Sequence, residues 1–220
     1  MANAQRVDRP PVLTSVTAAH PIRAMLTDIA CVVLAYLLGS VSSAVLVARL
    51  LGLPDPRSQG SGNPGATNML RLGGKSAAVV TLLGDMLKGL VPVLLARALG
   101  ATDIALAGAA AAAFLGHLYP VFFGFQGGKG VATFFGTLLG LNSLVGMMVL
   151  ATWLVMAFLF RYSSLAALIA SALALAYLGW LQPLPAFIIA VCGMVALLFW
   201  RHRSNISKLL AGTEGKIGGK

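Results

Sequence analysis

The sequence predicts an all-α protein: a polytopic membrane helical bundle of seven transmembrane segments, some of them short, with the N-terminus outside and the C-terminus cytoplasmic. The first reason is composition, because 58% of the 220 residues are hydrophobic and 10% are charged. The mean hydropathy of +0.88 also lies outside the range of soluble domains. The second reason is that basic residues cluster at the ends of apolar segments, where topology signals and headgroup contacts lie. The net charge of +10 therefore does not imply a nucleic-acid partner, and none is expected.

The apolar runs define the segments in chain order. A helix needs about 20 apolar residues to cross the hydrocarbon layer. Clear candidates are 27–50, 76–98, 103–121, 164–181 and 185–200. The remaining run, 131–160, would form a helix of about 45 Å, well beyond the hydrocarbon core of about 30 Å. Glycines, Asn142 and Ser143 interrupt its middle, so it is divided into helices 130–140 and 143–160.

The distribution of lysine and arginine supports seven crossings. With that number, the loops 51–75, 122–129 and 161–163 share one face with the C-terminal tail. The basic residues of this face are Arg57, Arg71, Lys75, Lys129, Arg161, Arg201, Arg203, Lys208, Lys216 and Lys220. The opposite loops carry no lysine or arginine, apart from Arg97 at a border. The positive-inside rule makes the basic face cytoplasmic, although the arginines of the N-terminal tail argue mildly against an outside N-terminus.

Three regions follow from this pattern. Residues 1–25 are polar and are predicted to form a disordered extension, 26–204 form the transmembrane domain, and 205–220 form a basic cytoplasmic tail. The first apolar run is too long for the core of a signal peptide. Cys31 and Cys192 both lie in apolar runs and are interpreted as small core residues without a disulfide or metal role.

A glycine-rich segment, RSQGSGNPGATNMLR (57–71), follows the first apolar run. Glycines leave backbone N–H groups uncovered for anions, and arginine binds phosphate as a bidentate fork. The candidate phosphate ligands are Gly60, Ser61, Gly62, Asn63, Gly65, Thr67, Asn68 and Arg71. The alternative is a glycine-rich connector with topology charges, and Arg57 fits that alternative better than Arg71 does.

A second polar segment, GHLYPVFFGFQGGKGVAT (116–133), places Lys129 among glycines just before a helix N-terminus. Free N–H groups and the helix dipole favour anions there. The candidate ligands are Gly127, Gly128, Lys129 and Gly130. A Walker A motif needs Ser or Thr after the lysine. Gly130 occupies that position, so ATP binding is rejected and phosphate binding is kept. His117 is interpreted as structural rather than as a base.

The third polar segment is RYSSL (161–165), where Ser163 and Ser164 fit a helix N-cap. Its interest comes from sharing a face with the other two segments. The tail HRSNISKLLAGTEGKIG adds His202 and Asn205 to that face. The alternative for this tail is a basic amphipathic segment that lies on anionic lipid.

Asp85 and Lys88 lie in the middle of an apolar run and three residues apart, so they share a helix face. An unpaired charge there costs about 2.5–3.5 kcal/mol, so the two are expected to pair. Structural and functional roles stay open. The six acidic residues of the chain form no paired acids at catalytic spacing. The sequence also has no H-E-x-x-H and no G-x-S-x-G motif, so no metal or cofactor is expected.

These motifs resemble those of the acyl-phosphate:glycerol-3-phosphate acyltransferases, the PlsY-type membrane enzymes. GSVSSAVLVARLLGLPDPRSQGSGNPGATNMLRLGG looks like their first motif, GHLYPVFFGFQGGKGVAT their second, and YSSL their third. HRSNISKLLAGTEGKIG resembles their C-terminal signature, and GDMLKG also looks familial. The match runs in order from about Gly39 to Gly218. SVSSAV departs from the SIPFGY-like form of the family, so no site role is carried onto Ser42 or Ser43.

The resemblance implies transfer of a fatty acyl group from acyl phosphate to the 1-hydroxyl of glycerol 3-phosphate. The products would be lysophosphatidate and phosphate, in phospholipid synthesis at the bacterial inner membrane, with no acyl-CoA, metal or cofactor. The expected partners are the two phosphate substrates and membrane lipid, and the sequence indicates no protein partner. The alternative is a transporter of organic phosphates, in which basic loops and broken helices bind an anion.

The expected catalytic residues are Ser61, Arg71, Lys129, Ser164, His202 and Asn205. The 60–65 backbone with Arg71 is expected to hold glycerol phosphate, and Lys129 with the 127–130 amides to hold acyl phosphate. Which of these loops binds which substrate stays open, and so does the identity of any general base.

Overall fold

The computed structural model describes residues 21–218, and every regular element in that range is a helix. The helices are α1 (Pro21–Gly39), α2 (Ser43–Leu50), α3 (Ala66–Ala98), α4 (Asp103–Leu118), α5 (Val131–Leu141), α6 (Ser143–Phe160), α7 (Ser163–Leu181), α8 (Pro185–Arg201) and α9 (Arg203–Leu210), with a short 3₁₀ turn at Val121–Phe123. The all-α prediction is therefore confirmed for the described part of the chain.

Several helices are long and apolar enough to cross a membrane. The five that meet this test are α1, α3, α4 extended to Phe123, α6 and α7. Helices α8 and α9 meet it together as a pair bent by 58°. Helix α5 has 11 residues and is almost wholly buried, and its length of about 16 Å is short for a span. The described residues thus support a membrane protein with five or six candidate spans, and seven crossings stay a prediction.

The first predicted segment, 27–50, is not one helix. Helix α1 ends at Gly39 and α2 begins at Ser43, because glycine and serine weaken the helix there. The hydroxyl of Ser40 donates to the Tyr36 carbonyl (2.8 Å), one turn back. The break also frees the Val41 carbonyl, which accepts a hydrogen bond from Lys88 Nζ (2.7 Å).

Two other boundaries differ from the sequence-based expectation. Helix α3 begins at Ala66 rather than near residue 76, and it kinks at Gly74, where φ is 77°. The second half of the glycine-rich segment is therefore helical and carries Asn68 and Arg71. Helix α1 already begins at Pro21, so residues 21–25 are helical. The disorder predicted for the rest of the extension lies outside the described residues.

The chain alternates between two ends of the bundle. At one end, Arg97 at the C-terminus of α3 donates to the carbonyls of Gly140 (3.0 Å) and Leu141 (2.8 Å) at the C-terminus of α5. At the same end, the Asn142 amide nitrogen donates to Gln182 Oε1 (2.8 Å). The three polar segments and the tail meet at the other end.

The predicted tail is not a free segment. After α9, the Ile217 amide donates to the Arg161 carbonyl (2.6 Å), so the chain folds back onto the α6–α7 connection. The two cysteines also differ in environment. Cys31 is buried, as expected, but Cys192 is exposed on α8, so its prediction as a core residue is wrong. Both are free thiols.

Candidate active site

Asn68 holds the glycine-rich loop in place from the first turn of α3. Its side-chain nitrogen donates to the carbonyls of Pro56 (2.9 Å) and Gln59 (3.0 Å), and its side-chain oxygen accepts from the Ser61 amide (3.0 Å). Gly60 has a φ of +62°, and a Cβ there would lie 2.2 Å from Asn68 Oδ1. Asn68 is fully engaged inside the protein, which corrects its expected role as a direct phosphate ligand.

The loop amides are less bare than the sequence suggested. The N–H groups of Ser61, Gly62 and Gly65 donate to Asn68, Gln59 and Asn63 respectively. The glycines here serve positive φ values and close packing more than uncovered donors. Among residues 21–218, neither the Ser61 hydroxyl nor the Asn63 amide N–H has a hydrogen-bond partner. The hydroxyl of exposed Thr67 lies 3.4 Å from that of Ser163, which joins the first polar segment to the third.

The second loop packs tightly on the C-terminal end of α4. The Gly128 amide donates to the His117 carbonyl (3.2 Å), and a Cβ on Gly128 would lie 2.3 Å from His117 Nε2. The carbonyls of Gly127 and Gly128 accept from Arg201 Nη2 at 2.7 Å and 2.9 Å. Arg201 therefore fixes the carbonyl side of this loop from the end of α8. In the described part of the chain, the amides of Gly127 and Gly130 have no acceptor.

A chain of hydrogen bonds joins the second loop to the third polar segment and the tail. Lys129 Nζ donates to Asn205 Oδ1. Asn205 Nδ2 donates to Glu214 Oε1 (2.7 Å), and the Ser164 hydroxyl donates to the same oxygen (2.6 Å). We call these four residues the Lys129–Ser164 network. It brings together three of the six residues expected to be catalytic.

Positive charge surrounds Lys129. Burial of its side chain is the main cause that lowers the pKa of Lys129 below the usual 10.5. Glu214 opposes this shift, whereas Lys208, Arg201 and Arg71 reinforce it. An anion bound among these cations would relieve their mutual repulsion.

Arg71 and His202 flank the network without joining it. Arg71 is exposed and has no hydrogen-bond partner within the described residues, and its Nη2 lies 3.5 Å from the Cβ position of Gly215. His202 is buried, and its Nδ1 lies 2.8 Å from the Leu198 carbonyl. A carbonyl can only accept, so Nδ1 carries the proton and a neutral ring leaves Nε2 as an acceptor.

Arg57, the weaker candidate of the first segment, lies outside this network. Its guanidinium pairs with Asp55 (2.6 Å) and donates to the Phe123 carbonyl (3.1 Å). It therefore ties the first loop to the 3₁₀ turn. This structural role is neither phosphate binding nor a topology charge alone.

Sequence reasoning missed two residues that organise the site. Glu214 was noted only as one of few carboxylates, yet it accepts from both Ser164 and Asn205. Arg201 was interpreted only as a topology charge, yet it holds the second loop. The available signal for Glu214 was its position, as the one acidic residue in a basic, glycine-containing tail.

The buried pair predicted on α3 is present and lies beneath the second loop. Lys88 Nζ is 2.9 Å from Asp85 Oδ1, and both side chains are less than 10% exposed. His117 Nδ1 lies 3.7 Å from the same carboxylate oxygen. Because His117 also contacts Gly128, a polar cluster of Asp85, Lys88 and His117 underlies the loop that carries Lys129.

Comparison with known proteins agrees with this arrangement. A family model described as glycerol-3-phosphate acyltransferase matches residues 29–212. The chain belongs to the glycerol-3-phosphate acyltransferase family. Family members of that name include one from Thioalkalivibrio sulfidiphilus, 59% identical over 196 residues, with 89% of this chain and 97% of the relative covered. Another, from Methylococcus capsulatus, is 56% identical, with 84% of this chain and 94% of the relative covered.

Two solved structures of PlsY (YgiH), an integral membrane glycerol 3-phosphate acyltransferase, share the fold. The glycerol 3-phosphate form matches with a TM-score of 0.83 and 38% identity, over 87% of this chain and 96% of that one. The lysophosphatidic acid form matches with a TM-score of 0.80 and 38% identity, over 86% and 95%. The expected membership of the PlsY-type family is confirmed.

Proposed function

We propose that this acyltransferase moves a fatty acyl group from acyl phosphate to the 1-hydroxyl of glycerol 3-phosphate, giving lysophosphatidate and phosphate. The observation that carries the proposal is the Lys129–Ser164 network, with Arg71 and two glycine-rich loops beside it. Both substrates are phosphates, so the reaction needs two anion sites on one face. The PlsY structures in glycerol 3-phosphate and lysophosphatidic acid forms support the identity of the acceptor and the product.

Arg71 is assigned to the phosphate of the acceptor, together with the Ser61 hydroxyl and the Asn63 amide. Arg71 has no internal hydrogen-bond partner among residues 21–218, so its guanidinium can form a bidentate contact with a phosphate. Asn68 serves this site by holding the loop rather than by touching the ligand.

Lys129 is assigned to the donor, together with the Gly127 and Gly130 amides. An ammonium group has three donors. One goes to Asn205, which leaves two for a phosphate. Negative charge grows on the departing phosphate in the transition state, and a cation already in place stabilises it.

The step balances without a cofactor. The acceptor hydroxyl oxygen attacks the acyl carbon, and the bond from that carbon to the phosphate oxygen breaks. The phosphate leaves with the electron pair, and the hydroxyl proton moves to a substrate phosphate oxygen. Acyl phosphate is already activated, so positioning and charge stabilisation supply most of the rate. His202 Nε2 accepts the glycerol hydroxyl hydrogen bond and orients the nucleophile, while Ser164 and Asn205 close the site.

A phosphate-release assay with acyl phosphate, in the presence and absence of glycerol 3-phosphate, tests the reaction. Release that depends on the acceptor and yields lysophosphatidate supports it. Equal release with acyl-CoA as the only donor would contradict the acyl phosphate assignment. Uptake of labelled glycerol phosphate into proteoliposomes without release of phosphate would favour the transporter instead.

The assignment of Arg71 is tested by its alanine variant. Arg71→Ala should raise the KM for glycerol 3-phosphate well over tenfold, because a bidentate charged contact is lost. Lys75→Ala, an exposed basic position one turn further along α3, is the matched control and should leave KM unchanged. Unaltered KM and kcat in Arg71→Ala would show that the first loop does not bind substrate.

We also propose seven crossings in a bacterial inner membrane, with residues 26–204 as the acyltransferase domain and the site facing the cytoplasm. The contact of Arg97 with the end of α5 supports this, since short α5 then turns at the same end as α3. In a Cys31→Ala/Cys192→Ala background, a thiol reagent that cannot cross membranes should label Ala101→Cys in intact cells. Ser58→Cys should react only after lysis, and the reverse pattern would refute the orientation.

A further inference from the structure

A second basic cavity lies outside the Lys129–Ser164 network. Its volume is about 500 Å³, and it lies between the end of α2, the start of the first loop and the 3₁₀ turn. The lining residues that matter here are Arg49, Asp55, Arg57, Phe122 and Phe123. None of them belongs to the proposed acyl-transfer site.

One cation of this cavity is left uncompensated. Arg57 is paired with Asp55, with Nε 3.0 Å and Nη2 2.6 Å from the carboxylate oxygens. That pairing holds the pKa of Asp55 below its usual range, so the carboxylate stays ionised at neutral pH. Arg49 has no acceptor in the described part of the chain, and its guanidinium lies 6.0 Å from the centre of the Phe123 ring. The three charged groups therefore sum to one positive charge.

The rim of the cavity is apolar and exposed. Leu50 follows Arg49 directly and is 84% exposed, and Leu46 lies one turn before it on the same helix and is also exposed. Phe122, on the other side of the cavity, is 59% exposed, and Phe125 is 58% exposed. Exposed leucine and phenylalanine around a buried cation are typical of the boundary between hydrocarbon and headgroups.

We propose that this cavity binds the headgroup phosphate of an anionic glycerophospholipid of the bilayer. The phosphodiester carries one negative charge and matches the uncompensated charge of Arg49. Acyl chains attached to that phosphate lie along Leu46, Leu50 and Phe122, which gives those exposed side chains an apolar partner. A phosphate from the aqueous phase would gain nothing from this rim.

Native mass spectrometry of the purified full-length protein, with added phosphatidylglycerol or phosphatidylcholine, tests the proposal. Wild type should retain phosphatidylglycerol several-fold better than phosphatidylcholine. Arg49→Gln should lose about fivefold in phosphatidylglycerol affinity, the effect of one basic residue at an anionic surface. Lys75→Gln, a basic residue outside the cavity, should behave as wild type.

Ser58→Glu provides a second variant that does not depend on removing an arginine. Ser58 lines the cavity and is exposed, so the added carboxylate should repel the headgroup without disturbing packing. Equal affinity of wild type, Arg49→Gln and Ser58→Glu for phosphatidylglycerol would overturn the proposal. Displacement of the lipid by millimolar inorganic phosphate would also overturn it, because the cavity would then bind a soluble anion.

Discussion

Replacing Lys88 by methionine removes the cation of the buried pair on α3 while keeping most of the side-chain volume. The exposed fractions are 8% for Lys88 and 4% for Asp85, and the charged atoms are 2.9 Å apart. Breaking a buried pair by removing one partner typically costs about 3–5 kcal/mol, because the other charge is left uncompensated. His117 Nδ1, at 3.7 Å, is too far away to replace the lost contact with a hydrogen bond. We therefore expect Lys88→Met to lower the free energy of unfolding by about 3–5 kcal/mol.

The double variant Asp85→Leu/Lys88→Met separates the ion pair from general packing. It leaves no buried charge, so the main loss is the hydrogen bond from Lys88 to the Val41 carbonyl. An unsatisfied buried carbonyl costs about 1–3 kcal/mol. The double variant should thus be more stable than Lys88→Met alone.

Equilibrium unfolding of the purified variants in mixed detergent and dodecyl sulfate micelles, followed by tryptophan fluorescence, measures these differences. Leu87→Met, at an exposed position of the same helix, is the matched control and should change stability by less than about 0.5 kcal/mol. A loss below about 1 kcal/mol in Lys88→Met, or a double variant less stable than that single one, would refute the reasoning.

Three further results are expected. Gly128→Ala should reduce kcat/KM severely without removing any substrate contact, because its Cβ would lie 2.3 Å from His117 Nε2; wild-type kinetics would show that the loop can move aside. Lys208→Gln should move the alkaline limb of kcat/KM to higher pH, since Lys208 lowers the pKa of Lys129 and the charged form binds phosphate; an unchanged pH profile would remove Lys129 from that limb. Asn68→Ala should cost about 1–3 kcal/mol in unfolding free energy through its lost loop contacts, and unchanged stability in the same detergent titration would contradict its role in holding the loop.

Hydropathy and turn residues were sufficient for the second half of the fold. The predicted segments 143–160, 164–181 and 185–200 agree with α6, α7 and α8 to within one residue at each end. Polar or turn-forming residues separate these runs, so composition changes where the backbone turns. The break between α1 and α2 was missed because apolar residues continue across it and the freed carbonyl is satisfied by Lys88, which is distant in sequence.

The composition of the site was easier to predict than its internal contacts. Lys129, Ser164 and Asn205 were expected on one face and do join one network. The partner that links Ser164 to Asn205 is Glu214, and no local pattern indicates that contact, because it depends on how the tail folds back. Asn68 was misassigned for the same reason: an asparagine suits a ligand and a loop equally well until its hydrogen bonds are known.

The glycines of the two loops have a different meaning once these contacts are included. Uncovered amides alone would form a pliable anion cradle, but Asn68 and Arg201 already bind the polar groups of both loops from behind. A site held in this way pays less conformational entropy when a phosphate binds. It also keeps Lys129 where charge develops on the departing phosphate, which is the condition for electrostatic stabilisation of the transition state. The small residues therefore act mainly by letting helices α3, α4 and α8 hold the loops rigidly.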